Sequence, residues 1–157
     1  MKKLWSYIGT AIFWLSWPAQ WVYLRIGHRT RVLIVAEGEV LLIRGWIGSS
    51  EWNLPGGGLH HKEDYRVGAA REVYEELKIR LKPEALQELE TTVVRQHGLS
   101  FNCTNYFVEL PQKPPAKHRL LEITDSQWFA PRDALKEHLS VEASYALKTW
   151  SKKQNLL

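Results

Sequence analysis

Glu63, Arg71, Glu72, Glu75 and Glu76 follow the glycine run Gly56-Gly57-Gly58 at spacings that could do chemistry. The stretch AAREVYEEL (69–77) is made of good helix formers, and Asp64 is a candidate N-cap before it. On such a helix Glu72, Glu75 and Glu76 stand at i, i+3 and i+4 and project from one face. Like charges so placed repel, and a helix stable by itself would interleave lysines among them. A positive partner is therefore expected opposite that face. Hard divalent cations fill this role: they take oxygen ligands and often bind through a few carboxylates plus substrate phosphates. The plainer alternative is a solvated acidic helix face.

Residues 57–79 read GGLHHKEDYRVGAAREVYEELKI. They place Gly57, Glu63 six positions on, then Arg71-Glu72, Glu75-Glu76 and the apolar Ile79. This resembles the signature box of the Nudix hydrolases: Gly, five residues, Glu, seven residues, Arg-Glu, apolar, any, Glu-Glu, any, Gly, apolar. The added glycine, glutamate and arginine weigh against a merely solvated face.

The resemblance implies an α/β/α sandwich with a mixed sheet, and hydrolysis of a diphosphate linkage in a nucleoside diphosphate joined to another group. Magnesium is the implied cofactor, with manganese as a substitute. Glu72 and Glu76 are its implied main ligands, supported by Glu75 and Glu63, and the Gly56 carbonyl joins the metal shell. Arg71 would orient carboxylates through its rigid fork. Glu75 or Glu122 is the candidate base, with Glu109 as a rival to Glu122. Trp46, Trp52 and Phe101 are candidates to stack a nucleobase, and equally candidates for the core.

One position departs from the box. Lys78 stands where the pattern has glycine. Glycine there would end the helix in a left-handed conformation, which lysine adopts only at a cost. The sequence therefore predicts a helix running a residue or two further, towards Lys82-Pro83.

The charge is unevenly spread. Residues 1–31 hold Lys2, Lys3, Arg25, Arg29 and Arg31 and none of the 17 acidic residues, while the net charge of the whole chain is +4. The catalytic part thus lacks the broad basic excess of nucleic-acid binders, and nucleic acid is not the favoured partner; the resemblance implies a small nucleotide substrate instead. The single cysteine, Cys103, excludes an intrachain disulfide and a cysteine-rich zinc site. It lies in an alternating stretch and reads as a buried small hydrophobe.

Residues 4–24 carry no charge and hold four of the eight tryptophans: Trp5, Trp14, Trp17 and Trp21. That length suits a membrane-spanning helix, and tryptophans with basic flanks suit the interface. Ser6, Thr10, Ser16 and Gln20 along one side and Pro18 leave open a helix lying on the membrane or packed on protein. No small-x-small site follows the run, which argues against a cleaved signal peptide. Arg25, Arg29 and Arg31 outnumber Lys2 and Lys3, so the expected arrangement is an N-terminal hydrophobic helix (1–29) holding the hydrolase domain (30–157) at the cytoplasmic face.

The remaining residues supply a scaffold. Arg31–Ala36 and Glu39–Arg44 read as strands joined through Glu37-Gly38 in a hairpin. Thr91–Arg95 and Phe101–Glu109 read as two more, Pro111–Lys117 as a loop and Gln127–Ala130 as a short strand. Pro131 opens a helix over Asp133–His138, and Val141–Trp150 forms the last helix. Strands first, the acidic helix between strands, and helices at the end give an α/β layered sandwich.

Overall fold

The structure is a computed structural model that describes residues 27–45, 51–96, 99–115 and 123–155. The segment 4–24, Trp46 and Glu122 lie outside the described residues. Six strands form one mixed sheet: β1 (Arg29–Ala36), β2 (Glu39–Gly45), β3 (Trp52–Asn53), β4 (Gln87–Gln96), β5 (Leu99–Leu110) and β6 (Ile123–Phe129). Helix α1 (Tyr65–Leu77) stands between β3 and β4, and α2 (Pro131–Ala134) and α3 (Val141–Lys153) follow β6. The order is β3-β2-β1-β5-β4, with β6 also paired to β2; β1 and β5 run parallel, the other neighbours antiparallel.

The apolar run of β1 follows from burial on both faces. Val32 and Ile34 pack on one side with Val73, Leu77, Tyr106 and Val108. Leu33 and Val35 pack on the other with Phe107, Ala146, Leu147 and Trp150. Helix α1 therefore covers one face and α3 the other. Ala143, Ala146, Leu147 and Trp150 are the buried stripe of α3 at i, i+3, i+4 and i+7, and Ser140 caps it by accepting from the Ala143 N–H at 3.2 Å.

The expected hairpin forms. Glu37 and Gly38 both take positive φ, 53° and 76°, as a two-residue turn of matching twist requires. Beyond this turn β1 and β2 soon part: they pair only at Val35–Val40 and Ala36–Glu39, after which β2 turns to β3 and β6. The vacated edge of β1 is taken by the glycine segment, which matters for the site.

Two expectations about helices are corrected. The helix expected over Asp133–His138 is a single turn, Pro131–Ala134. Helix α1 does not run past Lys78; it stops at Leu77, with Lys78 itself left-handed at φ 59°. The turn satisfies the Lys78 N–H with the Tyr74 carbonyl at 3.0 Å and buries the next residue, Ile79, at 4% exposure. The Lys78 ammonium lies 5.0 Å from the centre of the Tyr74 ring, which recovers part of the cost.

Candidate active site

Pro55–Gly58 runs beside β1 where β2 has left it. Val32 N–H donates to the Pro55 carbonyl and Thr30 N–H to the Gly57 carbonyl, both at 2.9 Å, and Arg29 bridges to Gly58. Gly56 has φ +137°, and a Cβ there would collide with the Thr30 carbonyl oxygen. Only glycine lets this turn lie so close to the strand.

Helix α1 brings up the carboxylates. Asp64 caps it, accepting from Arg66 N–H at 3.0 Å and Val67 N–H at 3.1 Å. Its inner face uses Ala69, Ala70, Val73 and Leu77 to seat on the sheet. Glu72 and Glu76, one turn apart, then face the glycine segment. Gly56 N–H donates to Glu76 Oε2 at 2.9 Å, and a Cβ on Gly57 would stand 2.5 Å from Glu72 Oε2.

Arg71 ties the remaining acids together. Its Nε donates to Glu63 Oε1 at 2.8 Å and its Nη2 to Glu63 Oε2 at 2.9 Å. Nη1 reaches Glu72 Oε1 at 2.8 Å and Glu75 Oε2 at 3.4 Å, while Nη2 also donates to the Gly58 carbonyl at 3.0 Å. The hydrogen bonds from Arg71 hold the Glu63 carboxyl at about 2, against an ordinary 4.5; partial burial opposes this, and the His60 N–H adds to it. The same contacts, Glu63 foremost, push the Arg71 guanidinium above its ordinary value. Glu63 and Glu72 are mostly shielded, at 12% and 18% side-chain exposure, whereas Glu75 at 43% faces solvent.

Three carboxylates thus contact one guanidinium and Glu76 stands beside them at Gly56, leaving an excess of negative charge. The donors are all oxygens, which suits a hard divalent cation. Among the described residues, no three Asp, Glu, His or Cys side chains already form a metal cage. Glu72 and Glu76 at the glycine turn could hold such an ion, with water or phosphate oxygens completing its shell.

The NUDIX domain family model matches residues 27–150. The chain belongs to the Nudix hydrolase family. Its Nudix box therefore spans the glycine turn and α1, the two pieces that the fold sets against each other. A MutT Nudix hydrolase from Burkholderia pseudomallei is similar at 24% identity and TM-score 0.70, over 78% of this chain and 96% of that one. An Ap4A hydrolase from C. elegans, in a binary complex, is similar at 21% identity and TM-score 0.70, over 84% of this chain and 100% of that one. The Nudix domain of Shewanella oneidensis NrtR, complexed with ADP ribose, is similar at 14% identity and TM-score 0.71, over 81% and 87%. Likenesses at these identities establish the fold. No curated protein sequence matches the chain.

The other sequence candidates fall elsewhere. Trp52 is 3% exposed in the core under α3, edge-on to Phe129 at 5.2 Å, with the Arg44 guanidinium 4.2 Å from its ring centre. Phe101 is 8% exposed against Val94 and Cys103, with Arg29 5.0 Å from its ring centre. Both rings serve packing, and Cys103 is buried as expected. Glu109 is exposed on β5 and pairs with Val35, a residue of the α3-side core, so it lies on the sheet face opposite α1.

Sequence reasoning missed Arg31. Its Nη1 donates to the carbonyls of Leu54, at 3.3 Å, and of Gly56. The signal was present: a charged residue opens the otherwise apolar run RVLIVA. The Gly56 carbonyl, expected in the metal shell, is bonded to this guanidinium, although a carbonyl keeps a second lone pair.

Proposed function

We propose that this Nudix protein is a magnesium-dependent hydrolase that cleaves the diphosphate linkage of a nucleoside diphosphate joined to a second group. The placing of Glu72 and Glu76 against the Gly56–Gly57 turn carries the reading. The neighbouring structures named for Ap4A hydrolysis and for bound ADP ribose support this substrate class.

Bound magnesium would neutralise phosphate oxygens and lower the pKa of an attacking water. Glu72 and Glu76 are its proposed main ligands, with Glu63 in support and manganese as a substitute. Arg71 keeps Glu63 ionised and holds Glu63 and Glu72 in register by hydrogen bonding. Glu75, the most open of the three acids that Arg71 touches, is the proposed acceptor of the water proton; Glu122 is its rival. Trp46 is the remaining candidate to stack a base.

A second reading, a binding or regulatory module without turnover, is favoured by one observation. Arg71 already occupies the Glu63, Glu72 and Glu75 carboxylates, and no ready-made cage of three acids is present among the described residues. A panel of ADP-ribose, dinucleoside polyphosphates and nucleotide sugars, assayed with and without Mg2+, separates the two. Turnover that needs Mg2+ and is lost in Glu76→Gln supports the hydrolase; saturable binding without turnover supports the module.

We also propose that residues 4–24 hold the enzyme at the cytoplasmic face of a membrane, as a unit separate from the hydrolase domain. Among the described residues no helix is long and apolar enough to cross a membrane, so the proposal rests on the uncharged, tryptophan-rich run itself. Full-length protein should sediment with membranes, and protein lacking residues 1–26 should be active and stay in the supernatant. Full-length protein wholly in the supernatant would refute it.

A further inference from the structure

We infer that Arg31 is the positioning residue of the glycine turn, and through that turn of the divalent-cation site; this rests on reading Glu72 and Glu76 as cation ligands. Arg31 is 9% exposed, at the foot of β1. Its Nη1 bonds the Leu54 carbonyl at 3.3 Å and the Gly56 carbonyl as well. Its Nε has no hydrogen-bond partner, and it makes no ion pair among the described residues. Burying a guanidinium with so few partners costs stability, and an apolar residue like its strand neighbours would suit the core better. The fold alone therefore does not account for it.

The two carbonyls account for it. They bracket the Pro55–Gly56 peptide, and the N–H of that peptide donates to Glu76 Oε2 at 2.9 Å. One guanidinium nitrogen thus fixes the peptide from behind while Glu76 meets it in front. Gly56 sits at φ +137°, where glycine has more freedom than any other residue, so the turn needs an external restraint to hold one orientation. Arg31 supplies that restraint. It acts through Gly56.

The test uses the full-length protein and Mn2+ alone, its binding followed by electron paramagnetic resonance, so that no turnover is required. Arg31→Lys keeps the charge on a shorter side chain without the fork. Arg31→Met keeps most of the volume and removes a buried charge, so it should fold. Both should weaken Mn2+ binding by about tenfold or more, the usual size of an outer-shell effect. In Arg31→Ala, added methylguanidinium should restore part of the lost affinity, which a residue needed only for packing would not allow. Mn2+ affinity within about twofold of wild type in both Lys and Met variants, with only the melting temperature lowered, would overturn the inference. Glu76→Gln is measured alongside. If it also binds Mn2+ like wild type, the error lies in the reading of the carboxylates, and the inference falls with it.

Discussion

Arg71 grips Glu63 through two parallel hydrogen bonds, Nε to Oε1 at 2.8 Å and Nη2 to Oε2 at 2.9 Å, which fold the loop before α1 back onto the helix. The same guanidinium reaches Glu72 and the Gly58 carbonyl, so one side chain joins loop, helix and glycine turn. Arg71→Lys keeps the charge and loses the fork. It should lower stability by about 1.5–3 kcal/mol, as for hydrogen bonds to charged groups, and reduce turnover by an order of magnitude or more. Thermal melts and steady-state rates check both. Wild-type rates in a folded Lys variant would show that the fork is dispensable.

The pH dependence of the Glu63 contact has a definite sign. Its folded value of about 2 lies below the ordinary 4.5, so the carboxylate stabilises the fold above roughly pH 4.5, and this is lost as pH falls towards 2. The difference in urea midpoint between wild type and Glu63→Gln should therefore be largest near neutrality and shrink across that window. A difference constant down to pH 2 would mean that the ionised pair is not its source.

Gly56→Ala should be severe although it adds one methyl group. The Cβ would meet the Thr30 carbonyl and the backbone would be forced to φ +137°. The expected loss exceeds about 1 kcal/mol, accompanied by loss of turnover as the Gly56 N–H leaves Glu76. Wild-type melting and activity would show that the turn can move away from β1.

Lys78→Gly should be mild. Relief of the left-handed strain, about 1–2 kcal/mol, is opposed by the entropy of glycine and by the lost contact with Tyr74, each about 0.5–1 kcal/mol. Stability should change by less than about 1 kcal/mol and turnover by less than about twofold. A large fall in rate would give Lys78 a part in the chemistry.

Cys103 should resist maleimide in the native protein and react on unfolding. It is fully buried, and burial pushes its thiol up to about 11, so thiolate is scarce at neutral pH. Fast labelling of native protein would show that the sheet opens near β5.

The sequence by itself determined the family and most of the elements. The box residues and the acidic face of α1 are spaced by helical geometry, and the β1–β2 hairpin by the positive φ that Glu37-Gly38 supplies; both are local matters. What lay outside its reach came from contacts between residues distant in the chain. Lys78 could take a left-handed cap because Tyr74 lay beneath it and Ile79 had a core to enter. Trp52 became packing because α3 covers its face of the sheet, which no local pattern records for a two-residue strand such as β3, and Phe101 because strand pairing sets it against Val94. Arg31 acquired its partners only when β2 left β1 and the glycine segment took its place, 23 and 25 residues along the chain. Residue types and spacing state which groups can act; which of them meet is decided by how strands pair and part.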